Sequence, residues 1–257
     1  MLKQQTRRVG ITSVISILVL AAVLVTAGLV GADVSPGNVA YDGRWVFVRL
    51  SYNMTRGLQT GFFRQDVKWA HDYPRAERNL TKILESISYL DPFQGPNGGN
   101  VLALDDSELY KFPFAYMAEP GFWHPSDREV EGLRNYLLKG GFVVFDDFTG
   151  VHWYNFTEQL KRVLPDVRPI QLDVSHPIFH SFFDIETLAM SPMYGPPTTF
   201  WGFFEGNDPN KRLMAIANYD NDIGEYWEYS DTGWLPIDLS NEAYKFGINY
   251  VIYALTH

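Results

Sequence analysis

The chain has 257 residues, with 21 basic and 30 acidic side chains, a formal net charge of −9 and no cysteine. The missing thiol excludes cysteine nucleophiles, thiolate metal centres and iron–sulfur clusters. The acidic balance repels phosphate backbones, so nucleic acid is not an expected partner.

Lys3, Arg7 and Arg8 precede an uncharged apolar run from Val9 to Ala32. The run ends on the small residues Val30 and Ala32, spaced as at a peptidase site, so residues 1–32 read as an export signal. The run is also long enough to cross a bilayer, for which about 20 apolar residues suffice, and an uncleaved anchor is the alternative. Arg7 and Arg8 suit the twin-arginine route as well as general secretion. The expected address is therefore exported, periplasmic or in the cell envelope, with the membrane touched only through this segment. Without Lys3, Arg7 and Arg8 the remainder carries 18 basic against 30 acidic residues, a net charge of about −12. Residues 33–257 are expected to form one domain.

Trp45–Tyr52, "WVFVRLSY", is short, apolar and β-rich, and predicts a strand. Leu80, Ile83, Leu84, Ile87 and Leu90 then recur at helical spacing between Pro74 and Asp91-Pro92. "NVLALDD" and "PFAYM" read as two further strands. The segment 124–141 carries helix punctuation: Ser126 and Glu129 as a capping box, Val130, Leu133 and Leu137 as a buried stripe, and Gly140 as a left-handed stop. "FVVF" follows as a strand and ends on Asp146 and Asp147. A helix from Trp153 to Leu164, a strand at "RPIQLDV", a long loop rich in proline, glycine and aromatics to about Asp208, a strand at "RLMAIANY" and a closing helix over 241–254 complete the chain. Strands alternating with helices predict an α/β three-layer sandwich with a mainly parallel sheet. In such sheets ligands lie beyond the carboxyl ends of the strands.

The segments "GGFVVFDDF", "SDREVEGLRNYLLKGG", "DVSHPIFHSFFDI", "RLMAIANYDNDIGEYWE" and "KFGINYVIYALTH", in this order, resemble an exported bacterial family, domain of unknown function family 4159. The resemblance covers Phe47 to His257. It implies a class I glutamine-amidotransferase-like fold, related to flavodoxin, and no known function. True amidotransferases place a cysteine on the turn after a central strand, where this chain has Asp146, Asp147 and Phe148. Glutaminase chemistry by a thiolate is thereby excluded.

Two acidic pairs end predicted strands: Asp105-Asp106 after "VLAL", and Asp146-Asp147. Neighbours on a strand face opposite ways, so at most one of each pair lines a given cleft. If the two strands are adjacent, two carboxylates stand about 5 Å apart and repel by about 3 kcal/mol at an effective dielectric of 20. A hard cation such as calcium or magnesium would relieve this. The plainer account has Asp147 capping the next helix and Asp146 in water. His176 and His180 are four apart, but Pro177 turns His176 away from helical geometry, which favours a local backbone bond over metal ligation. His124, before the capped helix, reads as structural or as facing the cleft. His71 and His152 carry little signal. Asp220, Asp222 and Glu225 read as a solvated acidic turn, or as an irregular calcium loop. Loop aromatics such as Trp123, Trp153, Trp201, Trp227 and Trp234 suit either a packing layer or a sugar surface.

Two functions follow. The leading one is a non-catalytic module that binds a small polar ligand or an envelope protein at the carboxyl edge of the sheet. Its rival is a metal-assisted hydrolase of a carbohydrate-like substrate. There Asp146 or Asp147 would hold the cation or act as base, beside Asp105 or Asp106 and His124 or His176.

Overall fold

A computed structural model describes residues 37–54, 66–190 and 196–257; the expected export segment lies outside them. Among the described residues, seven strands form one sheet in the order β2-β1-β3-β4-β7-β6-β5. They are β1 Phe47–Ser51, β2 Gly99–Ala103, β3 Phe114–Ala118, β4 Phe142–Phe148, β5 Ile170–Gln171, β6 Thr199–Phe204 and β7 Leu213–Tyr219. The pairs β2/β1, β1/β3, β3/β4 and β4/β7 are parallel, and β7/β6 and β6/β5 antiparallel. The fold is thus α/β with a mainly parallel, mixed sheet flanked by helices.

Five α-helices accompany it among the described residues: α1 Arg75–Ile87, α2 Asp127–Leu138, α3 His152–Val163, α4 Ile223–Glu228 and α5 Ile237–Thr256. On one face Phe47, Phe114, Tyr116, Phe142 and Val144 pack with Leu80 and Leu84 of α1, Trp227 of α4, and Phe246 and Tyr250 of α5. On the other, Val46, Val48, Ala115, Val143 and Phe145 meet Leu133 and Leu137 of α2 and Phe156 and Leu160 of α3. The strict alternation along "FVVF" is the period-two geometry of a strand buried on both sides. The Ser126–Glu129 capping box forms on α2, and Gly140, at φ 114°, lies just beyond its end. Among the described residues, no helix is long and apolar enough to cross a membrane.

Three segments differ from expectation. The strand expected over "RPIQLDV" is only Ile170–Gln171. β6 lies within the stretch read as loop, since its aromatic run "TFWGFF" outweighs the proline and glycine around it. It returns to β7 through a tight connection, with Glu205 N–H bonded to Arg212 O at 3.0 Å, and such a hairpin makes the pair antiparallel. The segment read as an acidic turn is helix α4, capped by the Asp222 carboxylate on Glu225 N–H at 2.8 Å.

Candidate functional site

The two adjacent aspartates separate because the strand breaks its alternation between them. The β4–β7 register shifts between Phe145 and Phe148, and Asp147 has φ 59°. Phe148 consequently rejoins the face of Phe145. An extra residue in the left-handed region is the geometry of a β-bulge, which re-aims a side chain at a sheet rim. Glu119 after β3 (φ 48°), Asp220 after β7 (φ 60°) and Asp72 before α1 (φ 65°) share that conformation. Four acidic side chains are thus set by backbone held in a sparsely populated region, a pattern that concentrates at functional sites.

Asp146 points inward and is fully buried. Its Oδ2 accepts from Tyr116 Oη at 2.7 Å and Gly224 N–H at 3.0 Å, and its Oδ1 from Asn218 Nδ2 at 3.0 Å. Burial, with the nearby Asp147 charge adding to it, pushes its carboxyl up to about 7 despite these donors. It is a braced core acid, not the solvated one of the plainer sequence account.

Asp147 faces the rim, where the loop before α1 meets it. His71 Nδ1 lies 3.3 Å from Asp147 Oδ2 and 3.2 Å from Glu119 Oε1, while Nε2 lies 2.8 Å from Asp66 Oδ1. Lys68 Nζ bridges Asp66 at 2.8 Å and Glu119 at 3.0 Å. The Asp147 carboxylate, then Asp66, raise His71 to about 9 against the opposing effect of burial, so it is a cation at neutral pH. Burial and then Asp147 raise Glu119 to about 7.

On the other side of Asp147, oxygens of Asp72, Asp147 and Asp222 lie within 4.8 Å of one another. Asp72 Oδ2 is buried and accepts no hydrogen bond among the described residues, and the buried Asp147 Oδ2 has His71 Nδ1 as its ion-pair partner at 3.3 Å. At an effective dielectric of 20, each ionised pair at that separation repels by about 3 kcal/mol. Asp72 and Asp222 are accordingly pushed well above the ordinary carboxyl range, by burial first and by their neighbours next. The cluster opens on a cleft of about 300 Å³ that Asp147, Asn221, Asp222 and Glu225 line together with Phe148, Tyr226 and Trp234; among the described residues no basic side chain lines it.

The loop carrying Lys68, His71 and Asp72 is held from below. Arg49, in the middle of β1, is fully buried and paired with Glu77 of α1. Its Nη1 donates to Trp69 O at 3.0 Å and His71 O at 2.8 Å.

Of the six residues singled out from sequence, only Asp147 reaches the cleft, with Asp146 beneath it. The expected meeting of the two acidic pairs does not occur. β1 and β3 stand between β2 and β4, which puts their tips about 14 Å apart at the usual strand spacing. Asp105 instead lies 3.6 Å from Arg128, and Asp106 caps the short helix Ser107–Lys111 by accepting from Glu108 N–H at 2.9 Å. His124 is exposed, donates its backbone N–H to Asn53 O at 2.8 Å, and belongs to neither acidic cluster. His176 sits against Phe204, whose partner Leu213 begins β7, so it lies at the opposite end of the sheet. Its Nδ1 accepts from Ile178 N–H at 3.2 Å, and His180 is bound to Asp184 and Val174 O, so the two do not share a ligand. Asp220, far from forming a calcium loop, accepts from Thr149 Oγ1 at 2.6 Å and Gly150 N–H at 3.1 Å. Most loop aromatics pack: Trp153 stacks on Phe148, and Trp227 Nε1 bonds Ala243 O, whereas Trp234 stands 62% exposed at the cleft. Sequence reasoning missed Asp72 and Glu119, and gave His71 little weight.

Fold and site together define an α/β domain with an acidic cleft at the carboxyl edge of its central strands. A family model described as "Domain of unknown function (DUF4159)" matches residues 46–255, and the chain belongs to that family. A search of curated proteins finds no match.

Proposed function

We propose that this chain is an exported binding module whose cleft captures a positively charged group of its ligand or partner. The observation that supports it is the charge of the cleft: among the described residues, Asp147, Asp220, Asp222 and Glu225 line it without a basic side chain. Lys68 and His71 lie to one side and are engaged by Asp66 and Glu119. A low-dielectric pocket with one sign of charge concentrates the opposite charge. The exposed Trp234 adds an aromatic face on which an organic cation or an apolar ring face can rest.

Binding is favoured over hydrolysis for a geometric reason. His71, the imidazole nearest Asp147, has both nitrogens turned to carboxylates and is protonated at neutral pH, so it offers no base. The Thr149 hydroxyl on the cleft wall is committed to Asp220. In this reading the amidotransferase-like fold implied by the family resemblance persists with Asp146 and Asp147 where thiol chemistry would require a cysteine.

The test is calorimetric titration of the full-length chain, in mild detergent, with calcium and with spermidine. Binding of either, weakened in Glu225→Gln and Asp222→Asn, supports the reading; no binding of either removes it. Protease accessibility in intact and permeabilised cells checks the exported address, and protection of the domain in permeabilised-envelope, intact-cytoplasm preparations contradicts it.

A further inference from the structure

We infer that the group captured is a hard divalent metal ion, held by Asp72, Asp147 and Asp222 with Asn221 beside them. The inference rests on the binding reading above and narrows it. Three carboxylate oxygens converge within 4.8 Å, the span of a coordination shell whose metal–oxygen distances are about 2.3–2.6 Å for calcium. A second observation is independent of that cluster. Asn221 lines the same cleft and is only 5% exposed, yet its Oδ1 is buried and has no hydrogen-bond partner among the described residues. Its Nδ2 is directed to Met190 Sδ at 3.3 Å, which leaves the carbonyl oxygen as the unused end. A buried acceptor without a donor costs free energy and asks for an explanation.

Two buried oxygens, Asp72 Oδ2 and Asn221 Oδ1, thus lack a donor among the described residues, while Asp147 Oδ2 meets His71 Nδ1 at 3.3 Å. A bare ion reaches atoms that are closed to solvent, whereas an alkylammonium brings a chain that must fit as well. Carboxylates and an amide carbonyl are the ligand set of calcium and magnesium, and an all-oxygen set disfavours zinc. His71 does not join it, because both ring nitrogens are engaged by carboxylates, Nε2 by Asp66 and Nδ1 by Glu119 and Asp147. The guanidinium of Arg49 beneath is already matched by Glu77.

The experiment uses the full-length chain stripped with EDTA, followed by thermal melts and calorimetry with calcium, magnesium, zinc or spermidine alone. Calcium or magnesium is expected to raise the melting temperature of the wild type, and zinc much less. Asp147→Asn and Asp222→Asn should each weaken the metal by at least about tenfold, since even groups that only support a ligand are worth 10–100-fold. Asn221→Leu should weaken it less, and Asp105→Asn, outside the cleft, not at all. A cooperative melt of each carboxylate variant in EDTA shows that it folds. Metal stabilisation retained in both variants overturns the inference. So does spermidine binding without any metal effect, an outcome that leaves the wider cationic reading standing. No response to metal or spermidine overturns both.

Discussion

Asp147 Oδ2 lies 3.3 Å from His71 Nδ1, and this contact couples the bulge at the end of β4 to the loop before α1. The partners are unequal. Asp147 has further acids on its far side, Asp72 and Asp222, while His71 is enclosed by Asp66 and Glu119. The imidazolium is therefore stabilised from three directions. In metal-free protein its ring resonances should titrate near pH 9, well above the ordinary 6.5. Replacing Asp147 by Asn should lower that midpoint by at least about one unit, the usual effect of removing one nearby opposite charge. A wild-type midpoint between 6 and 7 by NMR would mean that the ion-pair cluster does not form in solution.

Stability against pH should run opposite to the common pattern. Asp146 and Glu119 titrate near 7 in the folded chain, against ordinary values of 3.8 and 4.5, and His71 near 9 against 6.5. In every case the folded state holds the proton more tightly, so rising pH destabilises it. For the two carboxyls the loss begins near pH 4 and is complete above about 7. The favourable contribution of His71 is full below 6.5 and gone above about 9. Asp66, held low by Lys68 and His71, acts below its ordinary 3.8 and lies outside this window. Urea midpoints measured in EDTA should fall steadily from pH 5 to 9. Asp146→Asn should flatten the part below pH 7 only, since its amide oxygen still accepts from Tyr116 and Gly224. A wild-type profile that is flat, or rises, over this range contradicts the burial of these acids.

How much of this could be read in the sequence depended on whether local pattern or strand order decided it. The capping box on Ser126, the stop at Gly140 and the strand ending at Asp146 are local, and the sequence shows them. Asp147 was visible as a charge at a strand end, although the bulge that aims it was not. Asp105, Asp106 and His176 were misplaced by topology. β1 and β3 insert between β2 and β4, so those two tips share an edge but stand apart along it, and the chain after β5 folds back to set His176 against Phe204 at the other edge. Glu119 and Asp72 could not stand out, because each is a single acid whose role comes from its neighbours in space. One signal was available and unused. Arg49 is the lone charge in "WVFVRLSY", and a charge in a strand buried on both faces requires a partner.

That arginine makes a separable prediction. Arg49 joins Glu77 of α1 to the carbonyls of Trp69 and His71, and it lies 5.0 Å from the Tyr116 ring. Arg49→Met leaves Glu77 buried without its countercharge, a loss of about 3–5 kcal/mol. Adding Glu77→Leu should restore much of that stability, because the stranded charge is gone. It should not restore the metal response, since Trp69 O and His71 O then lose the donor that fixes the loop carrying Asp72. Urea denaturation and metal-dependent melts on the single and double variants separate the two effects. A double variant that recovers both would show that Arg49 only supports the fold.

Gly224 offers a steric test that alters no charge. Its N–H bonds Asp146 Oδ2 at 3.0 Å, so the first turn of α4 lies directly against the buried acid. A methyl group placed there would stand 2.5 Å from Asp72 Oδ2 and 2.6 Å from Tyr116 Oη. The Asp72 carboxylate is the end of a side chain and can swing away, whereas the Tyr116 ring is packed in the core and bonded to Asp146. Gly224→Ala should therefore cost about 1–3 kcal/mol, as overpacking does, despite the roughly 1 kcal/mol by which alanine favours a helix over glycine. It should also abolish the rise in melting temperature with calcium or magnesium, because the displaced Asp72 no longer meets Asp147 and Asp222. Retention of the full metal response in a folded Gly224→Ala protein would place the ion away from Asp72 and confine its ligands to the outer part of the cleft.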